Sequence, residues 1–385
     1  MSGIESVDTL IIDLPTIRPH VLAMATMHHQ SIVLVRIRDT DGVEGVGEGT
    51  TIGGFSYCEE SPESTKLAID DYMAATLIGR DPAQVGAIMA DIARQVVGNH
   101  MAKCAVETAL LDLLGKRLGL PVSELIGGGR RRDRLPVAWT LASGDTTKDI
   151  EEAERVLAER RHNIFKLKIG KREVREDVAH VAAIKRALGD RASVRVDVNQ
   201  GWSEAKAHLG MRLLQEADID LVEQPIRGKN LAGMTRLSAA HGIPLMADEA
   251  LRGPGDAFAV ASTAGARVFA LKIAQAGGLH AAHAVATIAT AAGIGLYGGT
   301  MLEAGVGTAA SAQLFSVLPD LEWGTELFGS LLVKEDILAE PLRYADFHLE
   351  VPTGPGLGIA LDEDRIEFYR RDRPRSPAQS IPAKV

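Results

Sequence analysis

The chain has 385 residues, of which 46% are hydrophobic, and a mean hydropathy of +0.04. That length favours two domains, and so much apolar material builds a large core, which excludes a disordered chain. The net charge of −9 argues against nucleic acid or an anionic membrane surface as partner, because both need a concentrated positive field, whereas a small anionic substrate can still meet a local lysine cluster.

Met1 to Leu14 mixes acidic with apolar residues and lacks a basic segment followed by a long apolar one, so no signal peptide is expected. Ser31–Ile37 and Val43–Glu48, joined by Asp39-Thr40-Asp41-Gly42, predict an antiparallel hairpin. Cys58 and Cys104 are the only cysteines, too few for a disulfide framework, and are expected to be reduced thiols. Helical periodicity dominates from Ser64 to Arg117, with Val106, Ala109, Leu110, Leu113 and Leu114 on one face. Residues 1–130 therefore predict a small α+β domain. Gly127–Gly129 and Arg130–Arg132 read as a solvated linker rather than an anion site.

From Leu135 eight short strands are expected: Val137–Leu141, the runs ending at Lys168, Asn199, Glu223, Asp248 and Lys272, then Ile294–Tyr297 and Leu321–Thr325. Amphipathic helices such as Asp177–Leu188 and Ser203–Ala217 lie between them. From Asp197 the steps are 26 residues to Glu223, 25 to Asp248 and 24 to Lys272. Each matches a strand, a helix and two loops, so residues 131–342 predict an α/β fold, a parallel βα barrel with its chemistry at the C-terminal strand ends. Residues 343–385 are expected to return to the first domain and to end in a frayed tail. Ala281–Tyr297 is too interrupted for a membrane span, and a cytoplasmic protein is expected.

Strand ends converge on one mouth, so Asp197, Glu223 and Asp248 should lie within a few ångströms of one another. Three such carboxylates need a positive partner, and oxygen-only ligation favours Mg²⁺ or Mn²⁺. Taken singly, each could equally cap the following helix. Lys166 and Lys168 are two apart on a strand and point to the same, inner, face, while Lys272 comes from the other side of the barrel. A substrate held between these lysines could gain or lose a proton next to a carboxylate, with nearby cations and desolvation lowering the lysine pKa towards neutrality.

Lys166-Leu167-Lys168, Asp197-Val198-Asn199, Glu223-Gln224-Pro225, Asp248-Glu249 and Lys272 together resemble the muconate lactonizing subgroup of the enolase superfamily. The phrases Asp13–His20, Thr51–Gly54, Ala138–Asp145, Gly298–Glu303 and Gly324–Gly329 extend the resemblance from about Ser6 to Arg371. The resemblance implies a modified, enolase-like TIM barrel with a capping domain. It also implies Asp197, Glu223 and Asp248 as ligands of Mn²⁺ or Mg²⁺, Lys168 as general acid/base, Lys166 as its electrostatic neighbour and Lys272 as the lysine opposite. Asn199, Glu249 and Glu326 would surround them. Thr51 to Tyr57 would close over the mouth, where Ile52, Tyr57 and Lys166 could touch substrate, although Tyr57 alone is equally a packing residue. His20, His28 and His29 are expected in surface or loop roles.

The activity implied is reversible syn cycloisomerisation of cis,cis-muconate to muconolactone through an enediolate, in the catechol branch of aromatic catabolism. The implied partners are a small dicarboxylate and further copies of the chain, a homo-octamer by resemblance. A chloromuconate-specific relative stays open. A dipeptide epimerase is disfavoured because Gly324-Thr325-Glu326 replaces its Asp-x-Asp, and an o-succinylbenzoate synthase lacks the flanking phrases. An inactive scaffold should have lost a lysine or a ligand. A nicotinamide or flavin enzyme needs a larger phosphate site than Gly277-Gly278 or Gly298-Gly299 provides.

Overall fold

A computed structural model describes residues 2–21 and 26–372. The expected frayed tail lies outside the described residues. Strands β1 (Ile4–Val21), β2 (Thr26–Asp39) and β3 (Glu44–Thr50) form an antiparallel sheet, with the expected hairpin joining β2 to β3. The long first strand was not anticipated. It pairs with β2 from Ile4↔Asp39 to Val21↔Thr26, and its irregular stretch between Pro15 and His20 turns the chain towards the barrel mouth. The sequence of β3 explains its packing. Gly45, Gly47 and Gly49 alternate along one face, where the backbone of the His100–Leu118 helix lies directly on the sheet. A Cβ on Gly47 would stand 2.0 Å from the Ala105 carbonyl oxygen, so only glycine permits this approach. Most of that helix is buried.

Beyond β4 (Arg134–Pro136), a seven-stranded parallel sheet curls through β5 (Trp139–Leu141), β6 (Ile164–Lys168), β7 (Ser193–Asp197), β8 (Leu221–Glu223), β9 (Leu245–Ala247), β10 (Val268–Leu271) and β11 (Gly295–Gly298). Helices connect successive strands, as in Val174–Leu188 and Glu204–Glu216, the latter capped by the Ser203 hydroxyl. The eighth run does not form a strand. Leu321–Thr325 contributes only the residue Thr325, which bridges Val137 on one side and Gly298 on the other and so closes the barrel. The Gly324 turn, with φ of +69°, stops the pairing from propagating. Inside the barrel, the Arg195 guanidinium lies between the rings of Tyr297 and Trp323, 5.4 and 5.3 Å from their centres, and forms a floor beneath the mouth.

The basic run after Gly129 is more than a solvated linker. The Arg132 guanidinium donates to the carbonyls of Phe315, Leu318 and Pro319, satisfying the C-terminal end of the Gly305–Val317 helix. Strands β12 (Tyr344–Ala345) and β13 (His348–Glu350) join β4 in a small sheet. The chain then reaches the first sheet, where Arg371 N–H donates to the Ile11 carbonyl and its guanidinium pairs with Asp13 at 2.6 Å. No helix of the described residues is long and apolar enough to cross a membrane.

Candidate active site

The alternation of β6 decides what enters the mouth. Phe165 and Leu167 face the surrounding helices, so Lys166 and Lys168 must face inward, and Lys166 is only 1% exposed. Its ammonium lies 2.5 Å from Glu326, 2.8 Å from Glu223 and 3.7 Å from Asp197. The Lys168 ammonium donates to Asp197 at 2.5 Å and to the Asn199 side-chain oxygen at 3.2 Å. From β10, the Lys272 ammonium pairs with Asp248 at 2.7 Å and donates to the Tyr57 hydroxyl at 3.1 Å. The lysine pair and Lys272 thus stand on opposite sides of a line of carboxylates.

Loop geometry fixes these groups. Asn199 adopts a left-handed φ of +43° just past β7; its N–H donates to Asp197 and its side-chain amide to Glu249 at 3.2 Å. Gln224, with φ of +34°, accepts from the N–H groups of Asp248 and Ala250 through its side-chain oxygen. Gln275 donates to the Asp248 and Leu251 carbonyls. Thr140 reaches Glu326 at 3.4 Å. Sequence reasoning quoted Gln224 and Thr140 within their phrases without giving either a role, and missed Gln275.

Carboxyl groups outnumber ammonium groups here. Asp197, Glu223, Asp248, Glu249 and Glu326 surround only three ammonium groups. Burial and the neighbouring Asp197 push the Glu223 carboxyl well above its usual range, against the pull of Lys166. Burial, Asp248 and Asp197 push Glu249 up to about 8. Burial opposes ionisation of Asp197 too, but Lys168 and Lys166 overcome it and hold that carboxyl low. The expectation that the lysines are depressed towards neutrality fails for two of them. Burial works against the charge on Lys166 and Lys272, yet the carboxylates around each keep both above the ordinary lysine range.

The donor set fits a hard divalent cation. All the donors are carboxyl oxygens, the carboxyl groups outnumber the ammonium groups by two, and Glu249 Oε2 is buried without a hydrogen-bond partner. As they stand, no three His, Cys, Asp or Glu groups among the described residues are placed to share one ion. The lysines lie between the carboxylates and would have to withdraw from them.

His20, Ile52, Tyr57, Thr300, Leu302 and Phe328 complete the walls. His20 is a correction, because it is buried in the mouth at the end of β1 rather than at the surface. Burial and the Lys168 ammonium push its pKa down to about 4 and keep it neutral. His28 and His29 line a different cavity, on the first sheet. The mouth encloses about 20 Å³, room for about one water, so its walls must part for anything larger.

Residues 6–127 match the model of the mandelate racemase / muconate lactonizing enzyme N-terminal domain, and residues 148–365 match that of the enolase C-terminal domain-like family. Muconate cycloisomerase 1-2 of Acinetobacter lwoffii is 60% identical over 96% of each chain. A chloromuconate cycloisomerase of Delftia acidovorans is 43% identical over 96% of this chain and 99% of its own. Among solved structures, the muconate lactonizing enzyme of Pseudomonas fluorescens in complex with muconolactone superposes with a TM-score of 0.95. It is 60% identical, with 96% of this chain and 100% of the other covered.

Proposed function

The chain belongs to the mandelate racemase / muconate lactonizing enzyme family, and from that premise we propose that it is the isomerase that interconverts cis,cis-muconate and muconolactone. The observation that carries the reading is the pair of ammonium groups, Lys168 and Lys272, facing one another across strand-end carboxylates. The greater similarity to muconate than to chloromuconate cycloisomerases supports the unsubstituted substrate.

In the forward direction one carboxylate of the substrate forms a C–O bond to the far double bond, and the carbon next to the other carboxylate takes a proton. The dianion becomes a monoanionic lactone, so each turnover consumes one proton. Lys168 delivers that proton from the face on which the ring oxygen adds, and removes it in reverse. Lys166 holds Glu223 and Glu326 in place. Lys272, fixed by Asp248 and Tyr57, stands on the opposite face and steadies the substrate's charge. Asp197, Glu223 and Asp248 would hold Mn²⁺ or Mg²⁺, with Asn199, Glu249 and Glu326 around them. The cation supplies positive charge where negative charge grows on the substrate carboxylate. Ile52, Tyr57 and Lys166 contact the substrate, and parting of Ile52, Leu302 and Phe328 admits it.

The same reading divides the chain into a capping domain (1–130), a barrel (131–342) and a returning segment (343–385). The Arg371–Asp13 pair, which ties the end of the described chain to β1, supports the return. It also places the protein in the cytoplasm as a homo-oligomer, whose assembly would cover exposed apolar residues such as Phe55, Val97 and Phe258. The test is the kcat/KM of Mn²⁺-loaded protein on cis,cis-muconate and on its chlorinated analogues. Preference for muconate is expected. Preference for a chlorinated substrate would move the assignment to the alternative, and no turnover of any muconate would overturn it.

A further inference from the structure

Behind the candidate site lies a second cavity, of about 80 Å³, with a different electrostatic character from the mouth. Its rim carries the exposed Glu59, and its walls include the buried Glu60 and Glu249. Glu60 is held by the Met101 and Ala102 N–H groups at the start of the His100–Leu118 helix. Arg252, at the rim, is paired with Glu59 at 2.6 Å and is the one arginine or lysine lining this cavity. Glu249 belongs to this wall, and its Oε2 is buried without a hydrogen-bond partner. Tyr57 lines both this cavity and the mouth, and its hydroxyl donates to Asp248 at 3.2 Å. Tyr57 and Gln275, which also lines this cavity and donates to the Asp248 carbonyl, therefore stand between the rear cavity and a proposed ligand.

The mouth offers a cation the opposite reception. There the lining carries the ammonium groups of Lys166, Lys168 and Lys272 against the two carboxylates of Asp197 and Glu326, beside the apolar side chains of Ile52, Leu302 and Phe328. Clefts lined by one sign of charge concentrate the opposite ion and repel its own kind. A dianionic substrate and a divalent cation thus have separate, oppositely charged approaches.

We propose that the rear cavity is the loading route for the divalent cation, which passes Glu59 and Glu249 and enters the site when the Tyr57 and Gln275 side chains swing aside. The proposal rests on the metal-dependent reading above. A route has a kinetic signature that a ligand lacks. Changing the charge at its entrance alters association and dissociation by the same factor and leaves the equilibrium affinity unchanged.

The experiment mixes chelator-stripped full-length protein with Mn²⁺ alone in a stopped-flow instrument and follows uptake by competition with a fluorescent chelator. Affinity is measured separately from the EPR signal of free Mn²⁺. Glu59→Lys should slow association and dissociation together, on the order of five-fold at low salt. Arg252→Ala, which frees the Glu59 carboxylate, should speed both. The differences should vanish near 1 M salt, where the screening length is about 3 Å. Glu340→Lys, an equal charge change at an exposed position elsewhere, should leave both rates unchanged. Unchanged rates in Glu59→Lys would overturn the route, as would equal slowing in Glu340→Lys or a changed affinity at unchanged association rate. Failure of the proposed activity shows separately, as no turnover of muconate by the fully loaded wild-type protein.

Discussion

Replacing Lys166 with methionine keeps most of the side-chain volume but deletes an ammonium group that is 1% exposed and lies 2.5 Å from Glu326, 2.8 Å from Glu223 and 3.7 Å from Asp197. Breaking a buried ion pair by removing one partner costs about 3–5 kcal/mol, because the remaining charge is left in a low dielectric. Glu223, already pushed well above its usual range by burial and Asp197, can take a proton, which relieves part of the strain and places the expected cost near 3 kcal/mol. Against a typical stability of about 5–15 kcal/mol the variant still folds. In the metal-free wild type five site carboxyl groups face three ammonium groups, and in the variant they face two. A divalent cation should therefore stabilise the variant more than the wild type. Urea unfolding of both proteins, with and without Mn²⁺, measures each quantity. A loss below about 1 kcal/mol in the metal-free variant would refute the reasoning, as would a smaller Mn²⁺ effect in the variant than in the wild type.

Other substitutions test the frame and the electrostatics. Gly47→Ala puts a Cβ 2.0 Å from the Ala105 carbonyl oxygen and should cost about 2 kcal/mol or more in thermal unfolding, whereas Gly86→Ala, in open space on a helix, should stabilise by about 0.5–1 kcal/mol. Burial lowers the pKa of His162 to about 4, even though the ring bonds the Val137 carbonyl. A depressed folded pKa means that this contribution is complete above pH 6.5 and is lost as pH falls towards 4, a difference of roughly 3 kcal/mol. His162→Gln should show correspondingly less acid destabilisation in unfolding titrations across that window. Tyr57→Phe keeps the ring near Lys272 but removes the hydroxyl that links Lys272, Asp248 and Gln275. The loss of about 1.4 kcal/mol should appear as a roughly ten-fold fall in kcat/KM on muconate, measured by absorbance.

The barrel was legible because period-two alternation and strand-end charge are local properties of the chain. Lys166 and Lys168 had to share a face, and the near-constant steps from Asp197 to Lys272 had to bring successive strand ends together. The eighth strand misled because Leu321–Thr325 has strand-like composition, yet the Gly324 turn leaves only Thr325 to bridge its neighbours. The lysine charge state misled because it depends on how many carboxylates surround each ammonium, and that count exists only after folding. His20 was unreadable for a similar reason: nothing in its local spacing marks it, and only the irregularity of β1 after Pro15 carries it to Lys168. The alternating glycines of β3 were visible as residues, but what they admit is a helix more than fifty positions away.

The central claim, that Lys168 is the proton carrier on the face where the ring closes, is tested most directly by running the reaction in D₂O with Mn²⁺ and locating the deuterium in the lactone by NMR, with Lys168→Ala alongside. The account predicts deuterium on the same face as the ring oxygen and loss of turnover by several orders of magnitude in the variant. Deuterium on the opposite face, or a variant that still closes the ring at a comparable rate, would contradict it and point to Lys272 instead.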